Sequence, residues 1–122
     1  MSLTVQASGT QAATVGTEHT LNAAAFPASG IYLLTVDTRN MVNIDELELR
    51  AYVKTLTGDA QEYLLYSATY AQQQGDSAAP GASAYGETVK VSIPIASPYS
   101  VTFTLKQTAG TSRNFPWRVD TL

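Results

Sequence analysis

Between residues 46 and 54 the chain reads ELELRAYVK, and this alternation restricts its local structure more than any other stretch. In an extended strand Leu47, Leu49, Ala51 and Val53 share one face, and Glu46, Glu48, Arg50, Tyr52 and Lys54 share the other. A helix would scatter both sets around its axis. The pattern therefore predicts a half-buried antiparallel strand, apolar side to a core and polar side to solvent or a partner. LTGDA follows, offering Gly58 and Asp59 for a hairpin turn, and QEYLLYSATYA reads as the returning strand.

The same reading marks strands at LTVQAS, EHTLNAA, GIYLLTVDT, ETVKVSIPI, YSVTFTLKQ and FPWRVDTL, each bounded by Gly, Pro, Ser or Asn. About eight short strands and no sustained helical period make an all-β chain. One sheet alone would leave an apolar face in water, so the strands must pack as two sheets or close into a barrel. We expect an antiparallel β-sandwich, jelly-roll-like. Val101, Phe103 and Leu105, together with Val89, Val91 and Ile93, are expected to point inward, and Thr102, Thr104 and Lys106 outward. Pro94 and Pro98 suggest a sheet edge or a break. RNMVNIDE reads as a turn or a single helical turn.

With 122 residues the chain fits one domain, 1–122, long enough to close a core without covalent staples. Its softest part is expected at about 72–87, a Gly/Ala/Ser-rich flexible loop with too little apolar area to offset the entropy of ordering it. That loop is either a plain connector or an arm that orders against a neighbour, with Tyr85 as its anchor.

Hydrophobic residues make up 44% of the chain and charged residues only 14%, a surface poor enough in charge to suggest that a partner covers part of it. The net charge of -3 argues against nucleic-acid binding, which needs clustered Lys and Arg. With no cysteine there is no disulfide framework and no thiolate metal site. The first residues lack the pattern of a secretory signal, and no 18 apolar residues run together to span a membrane, so a soluble, unexported product is expected.

Chemistry is harder to find. His19 is the one histidine, which excludes a multi-His metal site, and no nucleophile motif accompanies it. The plainer account is a strand-start residue bonded to backbone or solvent. Asp37, Asp45, Glu46 and Glu48, near Asn40 and Asn43, are oxygen donors for a hard cation, but they miss the EF-hand spacing, and Asx turns or a solvated face explain them as well. Of the seven tyrosines, Tyr52, Tyr63, Tyr66, Tyr70 and Tyr99 cannot all be in the core with a partner for each hydroxyl, so some are expected at the surface, as ordinary half-buried strand residues or as part of a binding face.

Three stretches, QASGTQAATVGTEHTL, DTRNMVNIDELELR and TLKQTAGTSRNFPWRV, resemble a set found in small virion proteins of tailed bacteriophages, and the likeness covers most of the chain. The positions that carry it are Gly9, Thr10, Glu18, His19, Asn40, Val42, Glu48, Arg50, Lys106, Gly110, Phe115, Pro116 and Trp117. Two places depart from the pattern: a glycine is expected in the turn where Ile44 stands, and the Ala/Gly/Ser-rich stretch after Gln74 is longer than usual.

What the resemblance implies is a non-enzymatic structural protein, similar to the cement or decoration proteins on the outside of phage heads. Its expected partner is the major capsid protein, bridged by a homodimer or homotrimer, on the capsid exterior after assembly in the host cytoplasm, with no cofactor, nucleic acid or membrane. The candidate interface residues are Trp117, Phe115, Arg113, Arg118, Tyr85 and Tyr52. Trp117, beside Arg113 and Arg118, is either an anchor on an edge strand or a core side chain. The alternatives are a carbohydrate- or receptor-binding module of a fibre, another virion part such as a tail or head-closure protein, and an enzyme gathering Glu18, His19 or Asp37 in one pocket.

Overall fold

The structure, a computed structural model, describes residues 3–22, 26–27, 30–74, 88–96 and 98–122. Tyr85 and most of the expected 72–87 loop lie outside these residues. The described strands are β1 (Thr4–Ala12), β2 (Glu18–Thr20), β3 (Phe26–Pro27), β4 (Ile31–Asp37), β5 (Glu46–Val53), β6 (Tyr63–Ala71), β7 (Val89–Val91), β8 (Ile95–Ala96), β9 (Ser100–Ala109) and β10 (Asn114–Thr121). No helix among the described residues is long and apolar enough to cross a membrane.

The strands form two sheets. Sheet A runs β1-β10-β4-β7, with β8 also on β4; sheet B runs β2-β9-β5-β6, with β3 also on β9. Every ladder is antiparallel. Because β2 and β3 lie along the same side of β9, and β7 and β8 along the same side of β4, each pair counts as one interrupted strand. Eight strands then remain, in the order 1-8-3-6 over 2-7-4-5, which is the connectivity of a jelly roll.

The alternation seen in ELELRAYVK holds in three dimensions. Leu47, Leu49 and Ala51 are buried, and Val53 packs against the core they form with Leu34, Val36, Val101, Phe103, Leu105, Phe115 and Val119. Two expectations are overturned. Val89, Val91 and Ile93 point outward and stay more than half exposed, at 54%, 55% and 54%. Ser92 turns inward instead, where its hydroxyl accepts the Leu34 N–H at 3.0 Å and donates to the Ile93 carbonyl at 2.8 Å, and Lys90 reaches over the Tyr70 ring at 5.3 Å. At the margin of the sandwich, then, the polar residues find partners inside and leave the valines outside.

The second correction concerns the last strand. Of the two readings of Trp117, an anchor on an edge strand or a core side chain, the first fails, because β10 is internal, paired to β1 on one side and β4 on the other. Pro116 is tolerated because it pairs only with Thr10 and the β4 ladder begins one residue later, at Trp117. Trp117 and Val119 do lie opposite Arg118, as the period of two requires.

RNMVNIDE resolves into two tight turns, closed by Met41 N–H to the Thr38 carbonyl at 3.0 Å and Asp45 N–H to the Val42 carbonyl at 3.1 Å. Ile44, where a glycine was expected, has φ 77°, a left-handed conformation that a β-branched side chain adopts only under strain. Its N–H donates to Gln72 Oε1 at 2.8 Å, and Gln72, itself at φ 68°, donates its N–H to the Asp45 carbonyl at 2.8 Å. Ile44→Gly is expected to raise stability by about 1 kcal/mol, the strain relieved less the greater entropy of an unfolded glycine. Thermal unfolding of the two proteins checks this, with a higher midpoint for the variant.

Candidate binding surface

On the outer face of sheet A the register sets Ser8, Arg118, Thr35 and Val91 in a row across β1, β10, β4 and β7. Beside this row a groove of about 310 Å³ is lined by Ser8, Thr35, Asp37, Arg39, Val89, Pro116, Trp117 and Arg118. A second depression of about 460 Å³ shares Asp37, Arg39 and Val89 and adds Asn40 and Thr88. Two guanidinium groups frame the groove. Asp37 holds Arg39 through Nε at 2.9 Å and Nη2 at 2.8 Å, and Asp120 holds Arg118 through Nε at 2.9 Å.

Both arginine side chains remain about half exposed, at 49% and 51%, so each plane is oriented by its own aspartate yet still reachable by a partner. Such pre-oriented forks bind carboxylates and carbonyls at low entropic cost. With Val89 and Val91 alongside, the surface combines apolar area with oriented donors, the mixture that anchors protein interfaces. No concave cage encloses a small molecule here.

The outer face of sheet B is different in kind. Glu18 Oε2 accepts the hydroxyls of Tyr52 and Thr104, each at 2.6 Å, and Oε1 lies 3.5 Å from Arg50 Nη1. Arg50 also pairs with Glu48. Burial by itself would raise the Glu18 carboxyl's pKa, but the two hydroxyls and the charges of Arg50 and Lys106 outweigh it and hold the group below its ordinary value. Glu62 accepts from Ser100 at 2.8 Å and from Thr102 at 2.6 Å. Glu18, Thr20, Tyr52, Glu62, Thr102 and Thr104 surround a shallow, open cup of about 340 Å³.

The structure separates the residues singled out from the sequence. Phe115 is wholly buried and offers no surface, which corrects its place among the interface candidates. Trp117 is half-buried, packs against the core and contributes one wall of the sheet A groove, its ring 3.5 Å from where a side chain on Gly9 would begin. Arg113 is bonded to Asp45, Arg118 belongs to the groove, and Tyr52 belongs to the opposite face. Tyr85 lies outside the described residues.

Nor do the enzyme candidates converge. Glu18 is on the outer face of sheet B, Asp37 lines the grooves of sheet A, and His19 uses Nε2 to accept the Thr14 N–H at 3.0 Å. The cation reading does not assemble either, since Asp45 is turned into the interior and Asp37 and Glu48 hold Arg39 and Arg50. Among the described residues no group of three or more His, Asp or Glu is placed to hold a metal ion.

Sequence reading missed Arg39, Val89 and Val91. A signal for the first was present, since DTR is an Asx turn in which Asp37 Oδ1 accepts the Arg39 N–H at 2.9 Å and so brings the guanidinium back over the carboxylate. Comparisons with family models, with curated proteins and with solved structures found no match.

Proposed function

We propose that this chain is a non-enzymatic virion structural protein, a cement or decoration protein that binds the outside of a phage head and bridges subunits of the major capsid protein. The observation that carries the reading is the outer face of sheet A, where Val89 and Val91 stand more than half exposed beside two pre-oriented arginines. A sheet face meant only for water would carry polar side chains at these positions. The resemblance to small virion proteins supplies the biological setting, and many weak contacts repeated over a shell add to its stability by mass action and multivalency.

The test is co-sedimentation of the purified chain with heads that lack it. Saturable binding is expected, falling at least tenfold for Val91→Asp and for Val89→Asp, both exposed positions at which the variants keep the wild-type unfolding midpoint. Undiminished binding by both variants would move the contact off this face. No binding by the wild type would remove the cement reading in favour of another virion part, such as a tail or head-closure protein.

One observation favours a second reading. The cup on sheet B presents two oriented carboxylates with the Tyr52 ring and threonine hydroxyls, groups that suit the hydroxyls of a sugar. A carbohydrate- or receptor-binding module predicts glycan-array binding that Tyr52→Ala abolishes.

A further inference from the structure

Sheet edges are where a β-sandwich most readily gains a partner, because an edge strand offers a row of backbone donors and acceptors. Among the described residues this sandwich has edges of two kinds. The β2/β3 and β7/β8 edges are short and interrupted, and Pro94 separates β7 from β8. The β1 and β6 edges are nine residues each. Neither long strand contains a charge or a proline, and each has a single ladder irregularity near its start, at Val5–Ala7 on β1 and at Leu65 on β6, that leaves the rest of the strand regular. They differ in what they expose: β1 sets one exposed apolar side chain, Val5, among Gln, Ser, Thr and Gly, whereas Tyr63, Leu64 and Leu65 run together at the start of β6, each more than half exposed, as is Leu56 in the preceding turn.

We infer that β6 is a self-association surface, pairing antiparallel with β6 of a second copy across a two-fold axis to continue sheet B from one subunit into the next. This gives a geometry to the homodimer expected of a bridging protein, but it is argued from the edge strand and concerns the isolated chain. Charge does not oppose a second copy at this strand. Each copy carries a net charge of -3, and the charged groups of sheet B's outer face, Glu18, Glu48 and Arg50 among them, lie off β6, so two copies meet with least repulsion through a strand without charge. In an antiparallel two-fold pair each residue meets another from the same strand, and β6 has none that would repel its copy.

The area is adequate as well. Nine extended residues span about 30 Å and the side of a two-layer sandwich is about 20 Å deep, giving roughly 600 Å² per partner, close to the roughly 800 Å² of a standard interface. The irregularity in the β5–β6 ladder between Ala51 and Tyr52 makes Leu65 the extra residue on β6, which sets Leu64 and Leu65 apart from the regular stretch that follows and leaves them to flank it.

Sedimentation equilibrium of the full chain up to about 100 µM tests this, alongside two exposed variants: Leu65→Lys on β6, and Thr10→Lys on the opposite edge. A wild-type dimer that Leu65→Lys converts to monomer and Thr10→Lys leaves intact is the expected result. A monomeric wild type overturns the inference, as does a dimer that Leu65→Lys leaves intact or one that only Thr10→Lys disrupts. Hydrogen exchange of the wild type keeps the test independent of variant folding. Amide protection in Tyr66–Ala71 should rise at least tenfold between 1 and 100 µM, and protection independent of concentration there would contradict the pairing.

Discussion

Asp45→Ala is expected to destabilise the protein by about 3 kcal/mol, lowering the unfolding midpoint by roughly 12 °C in a domain of this size. Asp45 is fully buried where the β4–β5 turns meet the β9–β10 hairpin. One oxygen accepts the Val42 N–H at 2.9 Å and Arg113 Nε at 2.8 Å, and the other accepts the Thr111 N–H at 3.1 Å. Removing the carboxylate leaves a guanidinium and two backbone donors without their acceptor. Because the Arg113 side chain keeps 28% of its exposure, water can take over part of that role, which places the cost at the lower end for a broken buried pair.

The same group gives the loss a pH signature. Burial works to raise the Asp45 pKa, but the Val42 and Thr111 N–H groups and the Arg113 guanidinium outweigh it, and the carboxyl ends below its ordinary value. A carboxyl depressed by folding contributes stability that is full above its unfolded pKa, about 3.9, and is lost as the pH falls through the folded value. The difference between wild type and Asp45→Ala should therefore be constant from pH 7 to about pH 5 and shrink below pH 4. Chemical unfolding at a series of pH values reads this directly, and a difference that grew in acid would contradict the assignment.

Gly110→Ala is expected to cost about as much, by a different route. Gly110 has φ 91°, and a side chain there would begin 2.0 Å from Asp45 Oδ1 and 2.7 Å from the Asp45 Cα. Alanine would have to bear the strained backbone and push the carboxylate off the Thr111 N–H, about 3 kcal/mol or more together. The two substitutions should not add. Once Asp45 is alanine the Oδ1 clash is gone, so the double variant should be more stable than the sum of the single losses predicts, by about 1 kcal/mol. Strict additivity in a double-mutant cycle would mean that the clasp between turn and hairpin is absent.

Gln107 shows why this clasp escaped notice in the sequence. It sits within YSVTFTLKQ at a position that alternation assigns to the interior, and it is wholly buried, donating to the carbonyls of Ala109 and Thr111 at 3.0 and 2.7 Å and accepting the Arg113 N–H at 3.0 Å. Periodicity reports which face a residue occupies. It does not report that a buried carboxylate will be met by a backbone N–H from 66 residues away and a guanidinium from 68 residues away, as Thr111 and Arg113 meet Asp45. Strand identity, by contrast, was legible almost throughout, because Leu47/Leu49/Ala51 and Val101/Phe103/Leu105 alternate cleanly and each run ends at turn-forming residues.

The surface was legible only in part. VKVSI alternates as cleanly as the core strands do, and the inward reading of Val89, Val91 and Ile93 follows from assuming that a strand hides its apolar face. At a sheet margin that assumption gives way, since Lys90 and Ser92 have partners inside and nothing in the chain's described residues covers the valines. Arg39 and Arg118 are far apart in sequence and come together because Thr35 and Arg118 are cross-strand partners in the β4–β10 ladder. Ile44 was legible in the other direction: the expectation of a glycine at that turn agrees with the left-handed backbone that isoleucine is made to adopt.

The central claim is that the exposed apolar and arginine-bearing faces exist to be covered in a particle. Its most direct test is the copy number of this chain in purified virions from its source, by quantitative mass spectrometry against the major capsid protein. The account predicts hundreds of copies in a simple integer ratio to that protein. Absence from the particle, or a handful of copies confined to the tail, would contradict it.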